Sequence, residues 1–124
     1  MTDRIREPRP GRWLFTWRIH NRTDHPMHCS RIRVPHGKFK AEERRLEPSL
    51  GIATRDSATL AVSVYCHESP GSTVENAFLI LFTEWRGTRW RIFVRLRITI
   101  DPEGQPETKT ELVTAQKVGF SEAV

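Results

Sequence analysis

RWRIFVRLRITI, residues 89–100, separates cleanly when read at a period of two. Trp90, Ile92, Val94, Leu96, Ile98 and Ile100 fall on one side, and Arg89, Arg91, Phe93, Arg95, Arg97 and Thr99 on the other. Successive side chains of a strand point to opposite faces, so the stretch predicts a β-strand with one apolar face and one arginine face. Just before it, NAFLILFTEW (residues 76–85) is strand-like with no polar face, and Arg86-Gly87-Thr88 supplies a tight connection. Together the two runs predict a hairpin. With a loop of two or four residues, odd positions of the first strand share a face with even positions of the second. Leu79, Leu81, Val94 and Leu96 then lie in the core. Phe78, Ile80, Phe82 and Phe93 lie on the outer face among Arg91, Arg95 and Arg97, with Glu84 near the tip.

Working outward, residues 13–20, 27–34, 59–66 and 107–118 also read as strands, separated by turns rich in Asn, Asp, Pro and Gly. Leu60, Val62 and Val64 join Trp90, Ile92 and the hairpin residues in the expected core. Residues 1–12, broken by Pro8, Pro10 and Gly11, read as a flexible basic arm. Residues 38–57 carry the weakest signal, and AEERRL (41–46) suits one or two helical turns. Six or seven mainly antiparallel strands with turns at this spacing predict an all-β chain, an immunoglobulin-like β-sandwich over residues 13–120 with 121–124 a tail; a small β-barrel is the alternative. The opening strand, its polar turn at 21–26 and the second strand resemble, in layout, cytoplasmic immunoglobulin-fold modules such as the major sperm protein domain. No functional residue carries over on layout.

A chain of 124 residues with 37% hydrophobic content can bury a two-layer core without metal or disulfide support. The net charge of +5 is concentrated: residues 86–97 hold five arginines and no acid. Such a patch attracts phosphates, nucleic acid or acidic proteins. The plainer reading is a solvated basic face in an arginine-rich chain. The N-terminus has no apolar run of signal-peptide or membrane-span length, which places the expected setting in the cytoplasm, with Cys29 and Cys66 reduced and buried.

The sequence offers three kinds of candidate site. The outer hairpin face (Phe78, Ile80, Phe82, Arg91, Phe93, Arg95, Arg97) is aromatic and cationic where a sheet face should be polar. Its cover is either another part of this chain (the N-terminal arm or residues 38–50), a protein partner or second copy, or single-stranded RNA or DNA stacked on the phenylalanines. His20, His25, His28, Cys29, His36, Cys66 and His67 have no zinc-finger spacing, and adjacent strand residues such as His28 and Cys29 point apart, so no metal or other cofactor is expected. His67, Glu68, Ser69 and Ser72 share a loop, yet no nucleophile elbow, phosphate-cradling loop or paired-carboxylate motif is present, so no enzyme activity or small-molecule substrate is expected. The sequence therefore reads as a non-catalytic interaction module, self-associating or docking a protein through the 76–97 hairpin face. Single-stranded nucleic-acid binding by that face is the alternative.

Overall fold

The computed structural model describes residues 3–118. They form eight strands: β1 (Asp3–Arg6), β2 (Arg12–His20), β3 (Met27–His36), β4 (Phe39–Ile52), β5 (Ser57–Tyr65), β6 (Thr73–Trp85), β7 (Thr88–Ile100) and β8 (Pro106–Lys117). All pairings are antiparallel, and the strands make one curled sheet in the order β1-β2-β5-β4-β3-β6-β7-β8. The all-β class holds; the strand count is eight rather than six or seven.

Both additional strands come from segments with little apolar periodicity. Asp3–Arg6, expected within a flexible arm, is an edge strand on β2. The chain turns back at Gly11, whose φ is +76° and where an added Cβ would sit 2.8 Å from the Tyr65 ring. The segment 39–52 is a fourteen-residue strand along β3, not a helical turn. Glu42 to Arg45 are all exposed, so no buried face imprints an alternation on them.

Within the curled sheet β4 pairs with β3 along its length but meets β5 at a single pair, Lys40 with Tyr65. On either side of that weak seam the inner faces share one core. From β2 and β5 come Trp13, Phe15, Trp17, Leu60, Val62 and Val64; from β3, β6 and β7 come Cys29, Ile32, Val34, Leu79, Leu81, Leu96 and Ile98. Phe39, fully buried at the start of β4, stands edge-on to Phe15 at 5.2 Å, and Phe15 stacks on Trp17 at 5.4 Å. Trp90, expected in the core, is only half-buried, and Ile92 and Val94 pack at its margin.

Two bulges decide which residues face inward. Ser30 is the extra residue between Cys29, opposite Thr83, and Arg31, opposite Phe82. It lets Cys29 and Ile32 both point to the core at an odd spacing and turns Arg31 outward. Asn76 adopts φ +58° in the irregularity between Val74 and Ala77, again leaving both apolar neighbours inward. Asparagine tolerates this left-handed conformation better than other side chains. At the hairpin tip Trp85 pairs with Thr88 across Arg86 and Gly87, both at positive φ, the geometry of a two-residue turn matched to strand twist.

The buried polar group Asn21 pins the neighbouring turn between β2 and β3. Its Nδ2 donates to the carbonyls of His25 (2.8 Å) and Ile52 (3.1 Å), and its Oδ1 accepts from the Thr23 amide at 3.0 Å. The Trp85 indole N–H donates to Thr23 Oγ1 at 2.8 Å, which ties this turn to the hairpin tip.

Both cysteines are free and buried. Burial, reinforced by the negative charge of Glu68, pushes the Cys66 thiol from 9.0 up to about 11; burial also raises Cys29. Between about pH 9 and 11 the unfolded thiol of Cys66 releases its proton while the folded one keeps it. Stability therefore falls as pH rises through that window and is untouched by this group below it. Comparing urea denaturation of wild type and Cys66→Ala at pH 8 and pH 11 should show the wild type losing on the order of 2 kcal/mol more than the variant. Equal losses would remove the assignment.

Candidate interaction face

The register of β6 and β7 sets Phe78 opposite Arg95, Ile80 opposite Phe93, Phe82 opposite Arg91 and Glu84 opposite Arg89. Opposed residues in an antiparallel pair share a face, and Leu79, Leu81 and Leu96 on the other face are buried. The seven residues singled out from the sequence are thus brought together on the outer side: Phe78, Ile80, Phe82, Arg91, Phe93, Arg95 and Arg97. The structure adds a third strand. Arg31 lies opposite Phe82 and Arg33 opposite Ile80, because β3 runs along the other side of β6. Sequence separation of some fifty residues and the bulge at Ser30 hide this neighbourhood from a period-two reading.

Ile80 is buried at the middle of the patch, and the three phenylalanines around it are half-buried. Phe78 and Phe93 meet edge to face, 6.3 Å between centroids. The Arg31 guanidinium lies over the Phe82 ring at 4.0 Å, and that of Arg91 is 5.7 Å from the same ring. Of the two segments expected as covers, β1 lies at the edge beyond β2, whereas β4 runs beside β3 and brings Glu43 and Arg45 to the margin of the face.

Carboxylates compensate much of the cationic charge. Glu43 bridges Arg31 (3.7 Å) and Arg33 (3.6 Å), Glu111 lies 3.9 Å from Arg95, and Glu75 lies 3.6 Å from Arg97. Each exposed pair is worth roughly 0–1 kcal/mol. Their role is geometric: they hold the guanidinium groups in place around the rings. Toward the hairpin tip the face deepens into an open cavity of about 910 Å³ lined by His28, Arg31, Arg45, Arg89, Phe82 and Trp90, among others.

The histidines do not converge. His25 stands edge-on to Trp85 at 5.8 Å, His28 faces Glu84 at the start of β3, and His67 lies beyond the far end of β5 beside Gly11. Among the described residues no group of three or more His, Cys, Asp or Glu is placed to hold a metal ion. In the 67–73 loop the Ser72 hydroxyl donates to the Ser69 carbonyl at 2.6 Å, closing a turn. Among the basic residues outside the hairpin, Arg31 and Arg33 belong to the patch and Arg45 to its cavity, whereas Lys40 pairs with Tyr65 at the seam.

No family model, curated protein or solved structure matches this chain. No helix is long and apolar enough to cross a membrane among the described residues.

Proposed function

We propose that this chain is a non-catalytic interaction module that docks a protein partner through the outer face of the β6–β7 hairpin, widened by Arg31 and Arg33 of β3, in a cytoplasmic setting. One observation carries the reading: three phenylalanines and an isoleucine are grouped on the solvent side of a sheet, framed by arginines already held by carboxylates. Aromatic and arginine side chains dominate the energetics of protein interfaces, and pre-positioned side chains lose less entropy on binding. A face whose cations are internally paired suits a partner with its own mixed charge better than a polyphosphate, which must displace those carboxylates. The test is capture on immobilised protein after nuclease treatment. A partner should be retained by the wild type and lost by Phe78→Ser/Phe93→Ser, whose folding is checked separately. Equal retention by the variant would refute the reading.

A second reading, single-stranded RNA or DNA binding, is favoured by the cavity at the hairpin tip, where Arg31, Arg45 and Arg89 surround Phe82 and Trp90. Against it, the Phe82 face that a base would stack on is occupied by Arg31. It makes a distinct demand: each arginine contacting phosphate adds about 0.7 to the slope of log K against log salt concentration. Capture abolished by nuclease, together with a slope reduced by Arg89→Ala, would favour nucleic acid over protein.

A further inference from the structure

The two ends of the outer face differ in charge balance. Away from the hairpin tip each cation has a carboxylate beside it: Arg33 lies 3.6 Å from Glu43, Arg95 3.9 Å from Glu111 and Arg97 3.6 Å from Glu75. Toward the tip the cations outnumber the acids. The open cavity of about 910 Å³ is lined by Arg31, Arg45, Arg89 and Arg91, against Glu47 and Glu84, an excess of two positive charges. Arg31 shares Glu43 with Arg33, and Arg45 lies 3.7 Å from Glu47. Among the described residues no carboxylate lies within ion-pair distance of Arg89.

Strand register produces this crowding. Arg45 of β4 stands opposite Arg31 of β3, Arg31 opposite Phe82 of β6, and Phe82 opposite Arg91 of β7, one row across four neighbouring strands. Arg89 lies two residues farther along β7, opposite Glu84. Like charges directly opposite each other destabilise a sheet, so Arg31 against Arg45 is a local penalty that an anion between them would relieve. The Arg31 guanidinium is held 4.0 Å over the Phe82 ring. That contact uses the guanidinium face and leaves its N–H edge for an oxyanion. A planar fork of donors, positioned in advance, matches phosphate geometry.

We propose that this cavity binds a phosphate monoester, with Arg31, Arg45 and Arg89 donating to its oxygens. A monoester carries a charge of about −1.5 to −2 at neutral pH, which matches the excess of the lining. A phosphodiester or a carboxylate carries a single charge and leaves part of that excess uncompensated. Because Arg31 already covers the Phe82 ring, the part of the ligand that is recognised is the phosphate and not an aromatic base. Phe78 and Phe93 do not line the cavity, so the phosphate site and the docking reading stand or fall separately.

The test is a titration of the isotope-labelled full chain, followed by its backbone-amide and arginine side-chain NMR signals at constant ionic strength and about pH 7.5, where a monoester is largely dianionic. Methyl phosphate should shift the signals of Arg31, Arg45 and Arg89 saturably, and dimethyl phosphate and acetate should bind more weakly. Arg45 and Arg89 are exposed, so neither is needed for the core. Arg45→Gln and Arg89→Gln should each raise the methyl phosphate Kd about fivefold, the upper end for an exposed charge pair. Arg18→Gln, on β2 and outside the cavity, removes the same charge and should leave the Kd unchanged. A phosphoserine peptide flanked by leucines identifies the source of the phosphate. Binding tighter than methyl phosphate, with the gain lost in Phe78→Ser/Phe93→Ser, assigns it to a docked protein; binding no tighter assigns it to a small organic phosphate. No saturable shift with methyl phosphate, equal affinity for dimethyl phosphate, or equal weakening by Arg18→Gln would each overturn the proposal.

Discussion

Phe15→Ala should cost about 3–5 kcal/mol of folding stability, the range for truncating a fully buried phenylalanine. Phe15 has no exposed surface; it stacks on Trp17 within β2 and meets Phe39 of β4 edge-on, a contact that crosses the seam. β4 reaches β5 through one ladder pair only, so side-chain packing at Phe15 and Phe39 replaces the hydrogen bonds missing at the seam. A loss of this size is a large fraction of the 5–15 kcal/mol typical of a domain. Urea denaturation followed by circular dichroism measures it. A loss under about 1 kcal/mol would mean the seam is held by something other than these rings.

Leu96→Asp should abolish folding, whereas Val94→Asp should give a destabilised but folded protein. Both residues belong to the apolar side of RWRIFVRLRITI, and period two alone ranks them as equals. The structure separates them. Leu96 is fully buried opposite Ala77, and an ionised carboxylate there has no partner and no water, a cost of several kcal/mol. Val94 sits at the core margin opposite Val113, which is 56% exposed, so a carboxylate at position 94 reaches solvent. Comparing the two variants by circular dichroism and urea titration decides the matter: equal unfolding would place the margin of the core further out than β7.

This contrast marks where the sequence was legible. Period two identified β7 and its two faces because Leu96, Ile98 and Ile100 are buried while Arg95, Arg97 and Thr99 are not. It paired β6 with β7 correctly because a two-residue turn leaves one register. It failed where burial writes no pattern, at Glu42–Arg45 of β4, whose strand is set by hydrogen bonds to β3. It also failed at bulges: Ser30 shifts the parity of β3, so Arg31 and Arg33 could not be placed beside Phe82 and Ile80 from spacing alone. The candidate face was therefore half legible. Its local strand pair was readable, and its long-range neighbour β3 was not.

On the proposed reading the outer rings serve a partner and not the fold. The most direct check is the stability of Phe93→Ser set beside Phe15→Ser, by urea denaturation of both. Phe93 is half-buried on the outer face and Phe15 wholly buried in the core. The account predicts that Phe93→Ser remains cooperatively folded and loses about 1–1.5 kcal/mol, roughly half the burial energy of a phenylalanine side chain. It predicts that Phe15→Ser loses several times that. Equal losses would contradict the account, because Phe93 would then be a structural residue and the face would have no aromatic surface to offer a partner.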